Sequence, residues 1–106
     1  MFKGMSNIYK QAQKMQKNMQ KIQDELSGLE IDGQSGGGMV KVVVNGKKVP
    51  LSIDINQDIF KEDKDMIEDL ILAAMKNALQ NAEKIAEEKM KTVTGGSMPN
   101  FNIPGF

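Results

Sequence analysis

At 106 residues the chain is one domain or one subunit of a larger assembly, and its 14 basic residues, all lysine, balance 14 acidic ones. The lack of Cys, His, Arg and Trp excludes disulfides, thiolate metal sites and the usual proton-transfer residue of enzymes. No apolar run approaches the ~18 residues of a membrane span, and the opening MFKGMSNIYK has no export-signal core, so an intracellular, cytoplasmic protein is expected in a reducing compartment.

The zero net charge hides a segregation of sign. Residues 1–23 carry five lysines and no acid, residues 24–32 carry four acids and no lysine, and residues 54–69 carry seven acids against Lys61 and Lys64. A local field attracts a ligand more than a net charge does.

A first helix is predicted over about residues 5–27. Met5, Ile8, Ala12, Met15, Met19, Ile22 and Leu26 alternate in steps of 3 and 4, an a/d heptad register, and Gly28 supplies a stop. At 1.5 Å per residue the helix is roughly 35 Å long. On its wheel Lys3, Lys10 and Lys17 fall at f, and Lys14 and Lys21 at c, forming a ridge opposite the apolar seam. The e and g positions (Tyr9, Gln11, Gln16, Asn18, Gln23, Glu25) are almost uncharged, so the lysines are not interhelical pairing charges. The seam, through Met15, Met19 and Ile22, is expected to pack on another helix while the ridge faces outward.

Residues of about 29–56 read as a three-stranded antiparallel sheet. Leu29–Gly33 alternates as a short strand, Gln34–Gly38 (QSGGG) is a break, and Met39–Asn45 is rich in β-branched residues. Asn45-Gly46 is a strong hairpin signal. The return strand, Lys48–Ile55, places Val49, Leu51, Ile53 and Ile55 on one face, with Pro50 expected at an edge or a bulge.

A second helix is predicted over about residues 63–94. Asp63, Asp65, Glu68 and Asp69 suit the positive end of its dipole, and Asp65 with Glu68 approximates a capping box. Met66, Ile67, Leu70, Ile71, Ala74, Ala78, Leu79, Ala82, Ile85, Ala86 and Met90 keep helical spacing. Such a helix is roughly 45 Å long, against a radius of gyration of about 13 Å for a compact chain of this size. It must overhang its own globule, and Ile85, Ala86 and Met90 then need cover from the first helix, a second subunit or both. A homodimer with projecting, coiled-coil-like helices follows. Residues 1–96 form the single domain, and 97–106 a flexible Gly/Pro-containing tail.

Two motifs fail on inspection. Asp54, Asn56 and Asp58 imitate a calcium loop, but the turn glycine is Ile59 and the twelfth position is Asp65. GQSGGGMVK imitates a phosphate loop, but Met39 stands where the lysine is needed. The methionines on the seam read as packing. No metal, cofactor or small-molecule substrate is expected, and no enzyme.

The ridge itself stays open between a solvated face and a polyanion grip. No acid stands four residues after Lys3, Lys10, Lys14 or Lys17, which is unlike a face of interleaved signs; Lys21 alone has Glu25 there. Gln and Asn fill the gaps, and both hydrogen-bond phosphates and base edges.

Four blocks carry a resemblance: KQAQKMQ (Lys10–Gln16), GQSGGGMVKVVVNG (Gly33–Gly46), MIEDLILAA (Met66–Ala74), and EKM (Glu88–Met90) followed by TGG (Thr94–Gly96), with PGF (Pro104–Phe106) at the end. Over nearly the whole chain, in order and spacing, the sequence resembles the YbaB/EbfC family of bacterial nucleoid-associated proteins. That resemblance implies an α+β homodimer whose helices project like tweezers. It also implies binding to double-stranded DNA in the nucleoid, altered DNA conformation, gene regulation and DNA protection. Carried onto this chain, Lys10, Lys14, Lys17 and Lys21 become the expected phosphate contacts, with Lys3 in support. Lys84, Lys89 and Lys91 become secondary contacts if the helices lie side by side, while the acidic block at 62–69 should lie near the sheet, away from DNA.

Two departures stand out. Asn56-Gln57 replaces a common Asp-Pro after the third strand, where Asn still caps a turn. Arginine, the usual guanine reader, is absent, which points to phosphate-dominated binding with weak sequence preference. The alternative is a dimeric interaction module whose helices dock an acidic protein.

Overall fold

The computed structural model describes residues 2–94, with side chains from Asn7 to Thr92. The order is helix α1 (Phe2–Ser27), strands β1 (Ile31–Ser35), β2 (Val40–Val44) and β3 (Pro50–Ile55), then helix α2 (Lys64–Thr94). The strands form one antiparallel sheet in the order β1-β2-β3. This is the α+β layout expected. The tail at 97–106 lies outside the described residues.

Alternation builds the core. Ile31 of β1 and Val40, Val42 and Val44 of β2 point to one face and are buried there, together with Ile59 from the turn after β3. α2 lies over β1 and β2 and presents Ala74, Ala78 and Ala82, all fully buried. Small residues let the helix come close. At Gly33 it comes so close that a Cβ would stand 2.5 Å from the Ala78 Cα and 2.6 Å from the Ala74 carbonyl oxygen.

β1 begins two residues later than the alternation suggested and runs through Gln34 and Ser35, with the break confined to Gly36–Gly38. The reason is α2. Gln34 donates its backbone N–H to Asn77 Oδ1 (3.1 Å), Asn81 Nδ2 donates to the Asp32 carbonyl (2.9 Å), and Ser35 Oγ donates to the Leu70 carbonyl (2.5 Å). These contacts hold the segment extended and engage the free edge of β1. The chain then turns through three glycines at φ 60°, 66° and 94°, a left-handed path that side chains resist.

The hairpin is not the two-residue turn that Asn45-Gly46 suggested. A five-residue loop, Asn45–Val49, joins β2 to β3, and its left-handed residue is Lys48 (φ 68°). Asn45 organises it: Oδ1 accepts from the N–H groups of Lys47 (2.9 Å) and Val49 (3.0 Å), and Nδ2 donates to the Ser27 carbonyl (3.4 Å). Gly46 N–H donates to the Leu26 carbonyl (2.8 Å), tying the loop to the end of α1. Asn45→Ala removes the acceptor of two part-buried backbone donors and should destabilise the fold by about 1–2 kcal/mol, read as a lower midpoint in urea unfolding with an unchanged slope.

Pro50 stands on the edge strand and beside a register shift between Val43 and Val44, as its missing N–H requires. Asn56 caps the following turn, its side chain accepting from Asp58 N–H (2.9 Å). The capping residue of α2 is Asp63, whose Oδ1 accepts from Met66 N–H (3.0 Å), and not Asp65. Asp63 is the residue that sits just outside the helix, where an extended backbone aims the carboxylate back at the first turn.

Candidate nucleic-acid interface

α2 packs beside the end of α1, with Lys89 Nζ 3.4 Å from Glu25 Oε2, while Asn81, about two turns earlier on α2, bonds Asp32 of β1. Where the two helices overlap, Ile22 and Leu26 are buried against Ala86 and Met90, with Met19 and Ile85 half-buried beside them. Helix 1 thus provides the cover that the far end of α2 needed.

The seam does not pack along its whole length. Met19 and Ile22 meet α2, but Met15 is 53% exposed and Ile8 68% exposed. The correction has a simple cause. Glu25 meets Lys89 near the end of α2, so the described helix stops about one turn past Ile22. The N-terminal part of α1, through Lys17, continues alone as an arm. The resulting particle is 73 Å long with a radius of gyration of 19.4 Å, well beyond the about 13 Å of a compact chain.

On this arm Lys10, Lys14, Lys17 and Lys21 are all exposed, as are Gln11, Gln13 and Gln16 between them. Lys10 to Lys21 covers roughly 16 Å of helix, about the axial rise of five phosphates on one strand of B-DNA. The nearest acids are already engaged: Gln20 donates to Asp24 (3.1 Å) and Lys89 pairs with Glu25. Lys21 therefore keeps its charge facing outward although Glu25 stands one turn away. The side chain of Lys3 lies outside the described ones.

The secondary candidates divide. Lys84 is exposed, whereas Lys89 is half-buried and spends its charge on Glu25. Lys91 is exposed at the end of α2. Lys47 and Lys48, which the sequence reading did not include among the candidates, lie on the loop that Gly46 ties to Leu26 near the end of α1. The acidic block begins α2, at the opposite end of that helix from Met90, some 33 Å from Glu68 at 1.5 Å per residue. Among the described residues no cluster of acids has metal-ligand geometry, and no helix is long and apolar enough to cross a membrane.

A small antiparallel sheet under one long helix, with a second long helix carried out beyond it as a basic arm, defines a helix–sheet–helix class of charged scaffold. The chain belongs to the YbaB/EbfC DNA-binding family, whose model matches residues 1–98. It is 48% identical over 104 residues to nucleoid-associated protein TTE0040 of Caldanaerobacter subterraneus subsp. tengcongensis, an alignment spanning 97% of this chain and 90% of that one. Its fold is similar to the crystal structure of the uncharacterized protein HP0035 from Helicobacter pylori, with a TM-score of 0.65 at 22% identity over 86% of this chain and 92% of the other.

Proposed function

We propose that this chain is a nucleoid-associated protein that binds duplex DNA as a homodimer, through lysine–phosphate contacts and with weak sequence preference. The observation that carries this reading is the acid-free lysine ridge on a projecting arm, in a member of a family described as DNA-binding. The name of the relative TTE0040 supports a place in the nucleoid. Lysine is a point charge that grips phosphate without the planar fork that reads guanine, so contacts to every sequence should be similar. Such binding suits changing the path of DNA, with organisation, regulation and protection of the nucleoid as its uses.

The dimer is supported by an incomplete core. Leu51 and Ile53 of β3 share the inner side of the sheet with the buried valines, yet α2 does not cover them and each is about half exposed (Leu51 at 50%), as is Val49 in the adjoining loop. Leu72, on the flank of α2 away from Asn77, is exposed as well. A row of β-branched and leucine side chains left bare marks a protein interface, and a second copy supplies a matching row under two-fold symmetry. Ile53→Asp should leave the chain folded and monomeric in sedimentation equilibrium; a dimer that survives the change would move the interface elsewhere.

The deciding experiment is a gel-shift titration on unrelated duplexes at two salt concentrations. Shifts on all of them that weaken with salt are the expected result. No shift at low salt would hand the lysines to an acidic protein partner instead.

A further inference from the structure

The arm of α1 carries two chemistries on opposite faces. Lys10, Lys14, Lys17 and Lys21 lie on one. On the other, Ile8 (68% exposed), Ala12 and Met15 (53% exposed) continue the seam that α2 covers at Ile22 and Leu26. We propose that this bare stretch pairs antiparallel with the same stretch of a second copy, so that two DNA-bound particles join arm to arm and their duplexes are bridged. The inference rests on the DNA-binding reading above and assigns the face of the arm that reading leaves unused.

Three observations select a second copy as the occupant. The first is continuity: the steps of 3 and 4 that pack Met19, Ile22 and Leu26 against α2 run unbroken through Met15, Ala12 and Ile8, a surface shaped to receive a helix. The second is charge. The flanking positions Tyr9, Gln11, Gln16 and Asn18 are exposed and uncharged, so two basic arms can meet here without repulsion, whereas an acidic partner would be drawn to the ridge behind. The third is direction. α2 already lies on the seam from Met19 to Leu26, so a partner arm running the same way would drive its own α2 into this one. Running the opposite way, it carries its sheet clear of the tip.

The antiparallel register that uses the bare stretch sets Ala12 against Met15 of the other arm and Ile8 against its Met19. The smallest seam residue thus receives a flexible methionine, which fills irregular gaps. Tyr9 then stands by Gln16 of the other arm and Gln11 by its Asn18, where phenol and amides can hydrogen-bond. The overlap is roughly 17 Å of helix, a contact at the weak end of protein interfaces. Free particles therefore stay apart, and pairing needs the local concentration that crowding on DNA supplies. Paired helices lie about 8–10 Å apart, and the two lysine ridges face outward on opposite sides, each toward its own duplex.

The test compares binding with bridging. Ile8→Gln with Met15→Gln alters two exposed side chains and leaves every lysine in place. Affinity for one duplex, read by gel shift, should stay within about two-fold, while capture of a labelled duplex by a bead-bound one should fall at least ~10-fold. Capture that survives the double change would overturn the proposal, because the particle's own two arms or another seam partner would then suffice. Gel shifts without capture by the unaltered chain would overturn it too and leave DNA binding intact; no shift at all would remove both readings. The register has its own check, since the chain has no cysteine. Tagged Ala12→Cys is mixed on plasmid DNA with untagged Met15→Cys, or with Gln13→Cys, which lies off the seam. Under oxidised glutathione the tagged–untagged disulfide should form at least ~10-fold faster with Met15→Cys, and equal rates would refute the pairing.

Discussion

Gly33→Ala is expected to be among the most damaging single-methyl additions in the chain. The new Cβ would sit 2.5 Å from the Ala78 Cα and 2.6 Å from the Ala74 carbonyl, with the Ala78 nitrogen closer still. These are backbone atoms, so no rotamer change relieves the clash. The helix must lift off β1, and lifting it stretches the bonds from Asn77 to Gln34 and from Asn81 to Asp32. Overpacking of this kind costs typically 1–3 kcal/mol and occasionally more, and the rigidity of the neighbours puts Gly33 at about 3 kcal/mol or above. The melting midpoint, followed by circular dichroism, should fall by roughly 12–24 °C for a domain of this size. Gly37→Ala is the matched control. Nothing stands within 4 Å of its added Cβ, and only its φ of 66° opposes the change, so about 1–2 kcal/mol is expected. Equal losses at both sites would mean that α2 slides freely over the sheet.

Reversing two charges on the arm should remove most of the affinity for DNA without touching the fold. If two copies of the four-lysine ridge engage about eight phosphates, log K falls against log salt with a slope near −7. Lys14→Glu with Lys17→Glu removes half of those contacts, which should bring the slope to about −4 and weaken binding by about three orders of magnitude near 0.1 M salt. All four side chains are exposed and make no contact with the core, so helicity and the proposed dimer should persist. The loss should be the same on unrelated duplexes, because phosphate contacts carry no sequence information. Affinity that survives the reversal would return the ridge to the status of a solvated face.

Periodicity carried much of the fold and little of the joinery. The heptad steps from Met5 to Leu26 identify α1, and the alanine steps from Ala74 to Ala82 identify the face of α2 that meets the sheet, since both depend only on local spacing. Whether a seam is covered depends on where the partner ends, which is why Met15 reads like Ile22 in sequence and differs from it in space. Asn45 carries the strongest turn signal in the chain, but its amide is spent on the end of α1 and on two loop N–H groups. Tertiary bonds overrode the tight turn that the dipeptide favours on its own. The lysine ridge was legible because charge and helix face follow from residue order; the pairing of Lys89 with Glu25 joins residues on different helices and has no local signature. Lys47 and Lys48 lack a local signature for the same reason: only the loop's attachment to Leu26 brings them beside the end of α1.

The two borders of the sheet are not alike, and the difference bears on how large an assembly can grow. Along β1 the side chains of Asn77 and Asn81 occupy a main-chain donor and a main-chain acceptor that a neighbouring strand would otherwise seek. Along β3, among the described residues, neither helix packs as α2 does on β1 and β2. A chain with two open borders can add copies without limit and become a fibre. If two chains meet at β3, as proposed above, the pair presents only asparagine-sealed β1 borders to further copies, and growth would end at a closed particle. Two residues on one helix face would thus act as a terminator of edge-to-edge growth in a small protein rich in β-branched strands.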